Sequence, residues 1–206
     1  MDKVDLRKEL APYYKTGTKE RKPHLIEIPP LQYVMFDGTG DPNSHEFADA
    51  IGVLYATAYG VKFASKAAGR DYGIMALEGL WWTDPPEAFS MDVKGDWMWT
   101  AMVLQPEWIT QAMVDDAVAA AVDKGKIDSA TAGEVRLETL TEGLSVQVLH
   151  VGPYETEPPT IAAMHEYAYG QGCKLRGKHH EIYMGDPRRT APEKLKTILR
   201  HPVEQA

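Results

Sequence analysis

Lys178-His179-His180-Glu181-Ile182-Tyr183-Met184-Gly185-Asp186-Pro187-Arg188-Arg189-Thr190-Ala191-Pro192-Glu193-Lys194-Leu195-Lys196-Thr197 reads as a short strand, a turn at Asp186-Pro187 and a helical turn. Thr190 stands three residues before Glu193, the spacing of a capping box. Strand side chains alternate, so His179, Glu181 and Tyr183 share one face and His180, Ile182 and Met184 the other. If the Ile182 and Met184 face packs on helices, Glu181 looks into whatever lies opposite.

Working outward, the chain repeats a pattern. An extended segment from Tyr33 to Gly38 leads through Gly40-Asp41-Pro42 into a helix near Ser44 to Tyr59, where Asn43 and Glu46 have capping-box spacing. Phe47, Ile51, Leu54, Tyr55 and Ala58 give that helix an apolar stripe. In the second half, Leu144 to Val151 is extended, Gly152-Pro153 turns, and Ile161 to Gly170 is helical. Ala58-Tyr59-Gly60 and Ala168-Tyr169-Gly170 align the two helices. Extended segments follow each: Ile74 to Trp82 and Trp97 to Leu104 in the first half, His179 to Met184 and Ile198 to Pro202 in the second, with a short helix at Pro192 to Thr197. Between the halves, Trp108 to Lys124 carries Met113, Val114, Ala117, Val118, Ala121 and Val122 on one stripe, with Gly125 as its stop.

The expected fold is α+β. Duplicated strand-helix-strand-strand modules form one curved, mainly antiparallel sheet with helices on one face and a ligand groove on the other. The expected organisation is a single domain over 1–206, with an N-terminal extension (1–22) lying across the body, a first module (23–105), a connecting helix and loop (106–133) and a second module (134–206).

Composition narrows the function. A formal charge of −8 argues against a nucleic-acid surface, which needs clustered Lys and Arg. Met1-Asp2-Lys3-Val4-Asp5-Leu6-Arg7 lacks the apolar run of a signal peptide, and Cys173, the one cysteine, has no internal disulfide partner. Both agree with a cytoplasmic location and no membrane partner. There is no phosphate loop, no Gly-x-Ser-x-Gly elbow and no His-Glu-x-x-His. Adjacent His179 and His180 face opposite ways, so no metal site is expected, although His165 and His150 stand as residues that could approach. The sequence gives no clear evidence on oligomeric state.

Glu-Ile-Tyr at 181–183, the Asp186-Pro187-Arg188 turn and the ending Pro192 to Thr197 resemble the C-terminal motif of stand-alone GyrI-like small-molecule-binding proteins. Pro23 to Gly38, Ile51-Gly52-Val53-Leu54-Tyr55, Leu77-Glu78-Gly79-Leu80-Trp81, and Gln147 to Tyr154 followed by Glu157-Pro158 match in the same order. The resemblance is strongest to the subgroup described as cyclopropanoid cyclopropyl hydrolases, which open the strained ring of DNA-alkylating natural products such as yatakemycin. It implies a pseudo-symmetric fold, an aromatic pocket holding a carboxylate, a planar aromatic ligand, no cofactor, and a role in detoxification or drug resistance.

On that resemblance, Glu181 is the general base or water-orienting carboxylate, and Glu157 is a second carboxylate, with Glu155 beside it. Tyr154 or Tyr183 donates to the dienone oxygen. Trp81, Trp99 and Tyr72 supply stacking walls, with Glu78 and Tyr55 as further ligand contacts. Four of the five tryptophans lie in Leu77 to Trp82 and Trp97 to Leu104, where they serve either a flat ligand or the core. Two other functions compete: a non-catalytic module that sequesters drugs, as in multidrug effector domains, and a gyrase-inhibitor-like interaction protein.

Overall fold

In a computed structural model, residues 3–84 and 97–206 are described, so Met1 and Asp2 of the N-terminal reading lie outside them. In chain order the elements begin with strand β1 (Lys3–Val4), helix α1 (Leu6–Glu9), β2 (His24–Ile28), β3 (Leu31–Thr39), α2 (His45–Ala67), β4 (Asp71–Tyr72), β5 (Leu77–Trp82) and β6 (Met98–Gln105). There follow α3 (Gln111–Asp123), α4 (Ser129–Ala132), β7 (Arg136–Leu140), β8 (Gly143–Val151), α5 (Pro158–Gly170), β9 (Cys173–Leu175), β10 (His179–Tyr183) and β11 (Lys196–Gln205). The order strand, helix, short strand, two longer strands occurs twice, as β3-α2-β4-β5-β6 and β8-α5-β9-β10-β11. The class is α+β with mainly antiparallel pairing, as expected. Among the described residues no helix is long and apolar enough to cross a membrane.

The elements group into two units that interleave along the chain: residues 3–11, 31–75 and 97–140, and residues 12–30, 76–84 and 141–206. In the first unit β3 pairs antiparallel with β6 on one side and β7 on the other, and β1 pairs parallel with β4. Helix α2 buries Phe47, Ala50, Val53, Leu54, Thr57, Ala58 and Val61, a spacing of three and four residues that makes one continuous face. Its cap is Ser44, whose hydroxyl accepts from the Phe47 N–H (3.3 Å). Asn43 is not the cap, because its backbone and side-chain amides both donate to Asp41 Oδ1 (2.8 Å each).

Nor does α2 stop at Tyr59. It continues to Ala67, and Gly60 lies inside it, where a Cβ would come within 3.0 Å of Ala117 Cβ on α3. The glycine thus serves close helix approach rather than termination. Helix α3 buries or half-buries its whole expected stripe and ends ahead of Gly125, which takes φ 65°, the left-handed conformation a helix stop uses.

In the second unit the strand order is β2-β8-β11-β10-β5, all antiparallel, and β9 pairs with Val203–Gln205 of β11. Helix α5 opens on Pro158 and Pro159, residues suited to a first turn whose N–H groups have no partner. It lays Ile161, Met164 and Ala168 on Val146, Val148, Leu199 and Val203. Leu199 stands opposite Glu181 in the β10–β11 pairing, so Glu181 is on the face that α5 covers. That reverses the expected placement, and the reason is that Val146, Val148 and Leu199 out-compete Ile182 as the helix-packing surface. Ile182 instead shares the other face with Ile198 and Leu149.

The turn after β10 also differs from expectation. Pro192–Lys194 is a single 3₁₀ turn with Ala191 before it and no side-chain cap. Thr190 does not cap it; the residue stands one place before the Ala191 cap position, and its N–H closes the Asp186-Pro187 turn on the Asp186 carbonyl (3.0 Å).

Candidate active site

The side chains of β10 divide as strand geometry requires, and the face of Glu181 collects chemistry. Glu181 is 7% exposed. Its Oε2 accepts from the Tyr183 hydroxyl (2.8 Å) and its Oε1 lies 3.2 Å from His179 Nε2. Two donors on two oxygens suit an ionised carboxylate, which only accepts. Across the pairing from Glu181 is Gly79, where a Cβ would meet Trp81 Nε1 at 2.9 Å. The missing side chain lets the Trp81 indole fold back along the strand, and its Nε1 donates to the Tyr183 hydroxyl (3.1 Å). Burial first and then the Glu181 charge push the Tyr183 phenol well above the usual tyrosine range.

Two residues of the β8–α5 connection complete the cluster. The Tyr154 ring stands edge-on to Tyr183, centroids 5.7 Å apart, and its hydroxyl is pushed up to about 12 by burial and by nearby Glu157 and Glu181. Glu157, which opens α5, is 1% exposed, and its Oε1 meets no hydrogen-bond partner among the described residues. Burial, followed by the Glu181 charge, pushes its carboxyl up to about 9. Two buried carboxyls therefore share the site in different surroundings, Glu157 pushed toward its protonated form and Glu181 with a hydrogen-bond partner on each oxygen, a difference of the kind that separates an acid from a base. Glu155, in contrast, is exposed.

The opposite face of β10 holds a different cluster. His180, fully buried, sits 2.9 Å from Glu142 Oε1 through Nδ1 and 3.0 Å from Glu78 Oε2 through Nε2. Arg200 donates to Glu142 Oε2 (2.7 Å), to Gln147 Oε1 (2.9 Å) and to the Tyr13 carbonyl (3.1 Å), and Tyr14 donates to Glu78 Oε1 (2.8 Å). Burial alone would raise the Glu142 carboxyl, but His180 and Arg200 outweigh it and bring it to about 2. Burial would likewise lower His180, and Glu142 outweighs it and raises the imidazole. Glu78 thus stands on the other side of β5 from Trp81 and belongs to this network.

Trp99, Tyr72 and Tyr55 are housed in the first unit. Trp99 is 1% exposed, meets Phe47 edge-on (4.9 Å) and lies over Gly38, where a Cβ would be 2.1 Å from its ring. It also contributes to the wall of a recess of about 680 Å³, together with Phe36, Gly38, Val53 and Ile127. Tyr72 is buried, donates to Gln105 Oε1 (2.8 Å) and meets Trp108 edge-on. Tyr55 is half-buried on α2, its ring 6.4 Å from that of Tyr59.

Of the residues singled out from sequence, Glu181, Glu157, Tyr154, Tyr183 and Trp81 come together in the second unit. The partner role of His179 was missed, although its place two residues before Glu181 on one strand face was a readable signal. His150 does not join the cluster's histidines, since its ring nitrogens engage Thr160 (2.9 Å) and Thr156 (3.1 Å). His165 does approach, meeting His201 ring to ring (5.1 Å), and His201 lies 6.0 Å from His179. Burial and then the neighbouring histidines lower His165 to about 4 and His201 to about 2, so both rings stay neutral.

A family model described as GyrI-like small molecule binding domain matches residues 21–204. An uncharacterised conserved protein from Listeria innocua is 36% identical, superposes with a TM-score of 0.88, and is covered over 98% of this chain and 100% of its own. Two structures described as hydrolases from Listeria innocua are similar at 35% identity with TM-score 0.83 and at 36% with 0.86, again over 98% of this chain and 100% of theirs. The EcmrR C-terminal domain shares the fold, at 14% identity and a TM-score of 0.57, over 90% of this chain and 98% of its own. No curated protein matches.

Proposed function

The chain belongs to the GyrI-like small-molecule-binding family, and within it we propose a hydrolase that adds water to the cyclopropane ring of a planar, cyclopropanoid alkylating agent. The observation that carries the reading is the pair of buried carboxyls, Glu157 with an unpartnered oxygen and Glu181 with a partner on each oxygen, beside three aromatic rings, Trp81, Tyr154 and Tyr183. Two similar structures described as hydrolases support the reaction class.

The substrate class holds a cyclopropane joined through a spiro carbon to a cyclohexadienone. Water attacks the ring methylene, the bond from methylene to spiro carbon breaks, and its electron pair moves through the ring to the dienone oxygen. Glu181 takes the proton from the attacking water. His179 and Tyr183 hold that carboxylate in one orientation, which keeps it aligned for the attack. Glu157 supplies a proton to the developing phenolate, the role its protonated state suits. Tyr183 already donates to Glu181, so Tyr154 is the tyrosine better placed to offer its hydroxyl to the ligand. The aromatic product drives the step, and the rings supply flat apolar surface for stacking.

The test is incubation of the purified protein with yatakemycin or a close analogue, read by mass spectrometry. Gain of one water over many turnovers is the expected result. Unchanged compound that co-elutes with the protein would replace the hydrolase with a sequestering module, and no binding would remove both.

A further inference from the structure

His165 of α5, His179 of β10 and His201 of β11 come from three elements far apart in sequence, yet one ring nitrogen of each lies within 4.8 Å of the other two. His165 Nε2 and His201 Nδ1 are buried and meet no hydrogen-bond partner among the described residues. A buried imidazole nitrogen ordinarily finds a partner, so two such atoms turned toward one cluster need an explanation. We propose that His165, His179 and His201 form a binding site for a divalent transition-metal ion of the zinc type.

The chemistry of the set is specific. Three imidazoles offer borderline-soft nitrogen donors, which suit zinc, copper, nickel or cobalt and not magnesium or calcium, whose ligands are oxygens. Small ring rotations bring donors within 4.8 Å to the separations of roughly 3.4 Å that metal–nitrogen bonds of about 2.0–2.1 Å require in a tetrahedral set. His179 adds an outer partner. Its Nε2 engages Glu181 Oε1 (3.2 Å), so Nδ1 is the atom it would offer the ion, and a carboxylate behind a ligating histidine is the usual orienting arrangement. The Glu181 charge also offsets part of the ion's charge in a buried place. None of this depends on the hydrolase reading.

Cobalt(II) reports the geometry directly, because a four-coordinate nitrogen site gives visible absorption far stronger than hydrated cobalt. The full-length protein, dialysed against a chelator, is titrated with CoCl2 and then with ZnCl2. A visible band that saturates at one ion per chain, is displaced by zinc and is unaffected by excess Mg2+ is the expected result. Absence of a saturating band, or saturation with the spectrum of hydrated cobalt, would overturn the proposal. His165→Gln is expected to weaken zinc binding by about 100-fold or more, exceeding the roughly 10–100-fold cost of losing an outer partner. His24→Gln, on β2, is expected to leave it unchanged. Equal affinity in both variants would place the metal elsewhere and refute the assignment, and the wild-type spectrum decides the matter if His165→Gln does not fold.

Discussion

The two faces of β10 carry buried charged clusters built from similar residues, and they differ in how the charge is balanced. On one face Glu78 and Glu142 stand against His180 and Arg200, and every carboxylate oxygen has a donor. On the other, Glu181 and Glu157 share a site where His179 meets Glu181 and the neighbouring His165 and His201 are held neutral. The balance there is reached by keeping Glu157 protonated. A closed network holds a fold together, whereas a carboxyl held in its less common state beside a charged one retains a proton to give and a lone pair to accept one.

The largest expected effect falls on the closed face. Arg200→Met removes the donor to Glu142 Oε2 and to Gln147 Oε1 and is expected to cost about 3–5 kcal/mol, read from urea unfolding. An unchanged midpoint would break the contrast by showing that this network carries no stability. Next comes Glu181→Gln, which is expected to fold normally and to lose at least about a hundredfold in turnover of a cyclopropanoid substrate. Full activity would remove Glu181 from the chemistry.

The pH profiles sharpen the comparison further. Glu157 has a folded value raised from 4.5 to about 9, so its contribution to stability is full below 4.5 and is lost as pH rises toward 9. Glu157→Gln is therefore expected to flatten the decline of unfolding free energy between those values, measured by urea titration at several pH values. Glu142 behaves in the opposite sense. Its value is lowered from 4.5 to about 2, so its stabilisation is present above 4.5 and disappears as pH falls through about 2. Matching slopes in the wild type and Glu157→Gln would show that Glu157 is not held protonated. The smallest effect is expected from Tyr183→Phe, about 1 kcal/mol in stability for the hydroxyl between Trp81 and Glu181.

Strand periodicity alone places His179, Glu181 and Tyr183 on one face, and helical spacing alone marks the α2 and α3 stripes. Those are local properties of one element. Which face α5 would cover was not local, since it depends on Val146, Val148 and Leu199 coming from other strands. The α2 cap moved by one residue because Asp41 captured Asn43, a competition between neighbouring polar groups that spacing alone does not rank. The three-histidine cluster escaped for the same reason as the α5 face: its members stand on α5, β10 and β11 and share no motif. The Glu142 and Arg200 pair is likewise long-range, separated by 58 positions.

The placement of β11 bears on synthesis from the ribosome. This strand lies between β8 and β10 and also takes β9, so the second unit lacks its middle until residue 205 has emerged. The first unit has all its described strands once residue 140 is out. Vectorial synthesis therefore leaves β5 waiting for β10 and β8 waiting for β11, strands made late, and during that interval the edges they will cover are open to other chains. Protease digestion of a fragment ending at Val151 is expected to protect segments of the first unit while cutting readily within β5 and β8, whose partners β10 and β11 are absent. Equal protection of both units at that length would mean that the second unit assembles without its central strand.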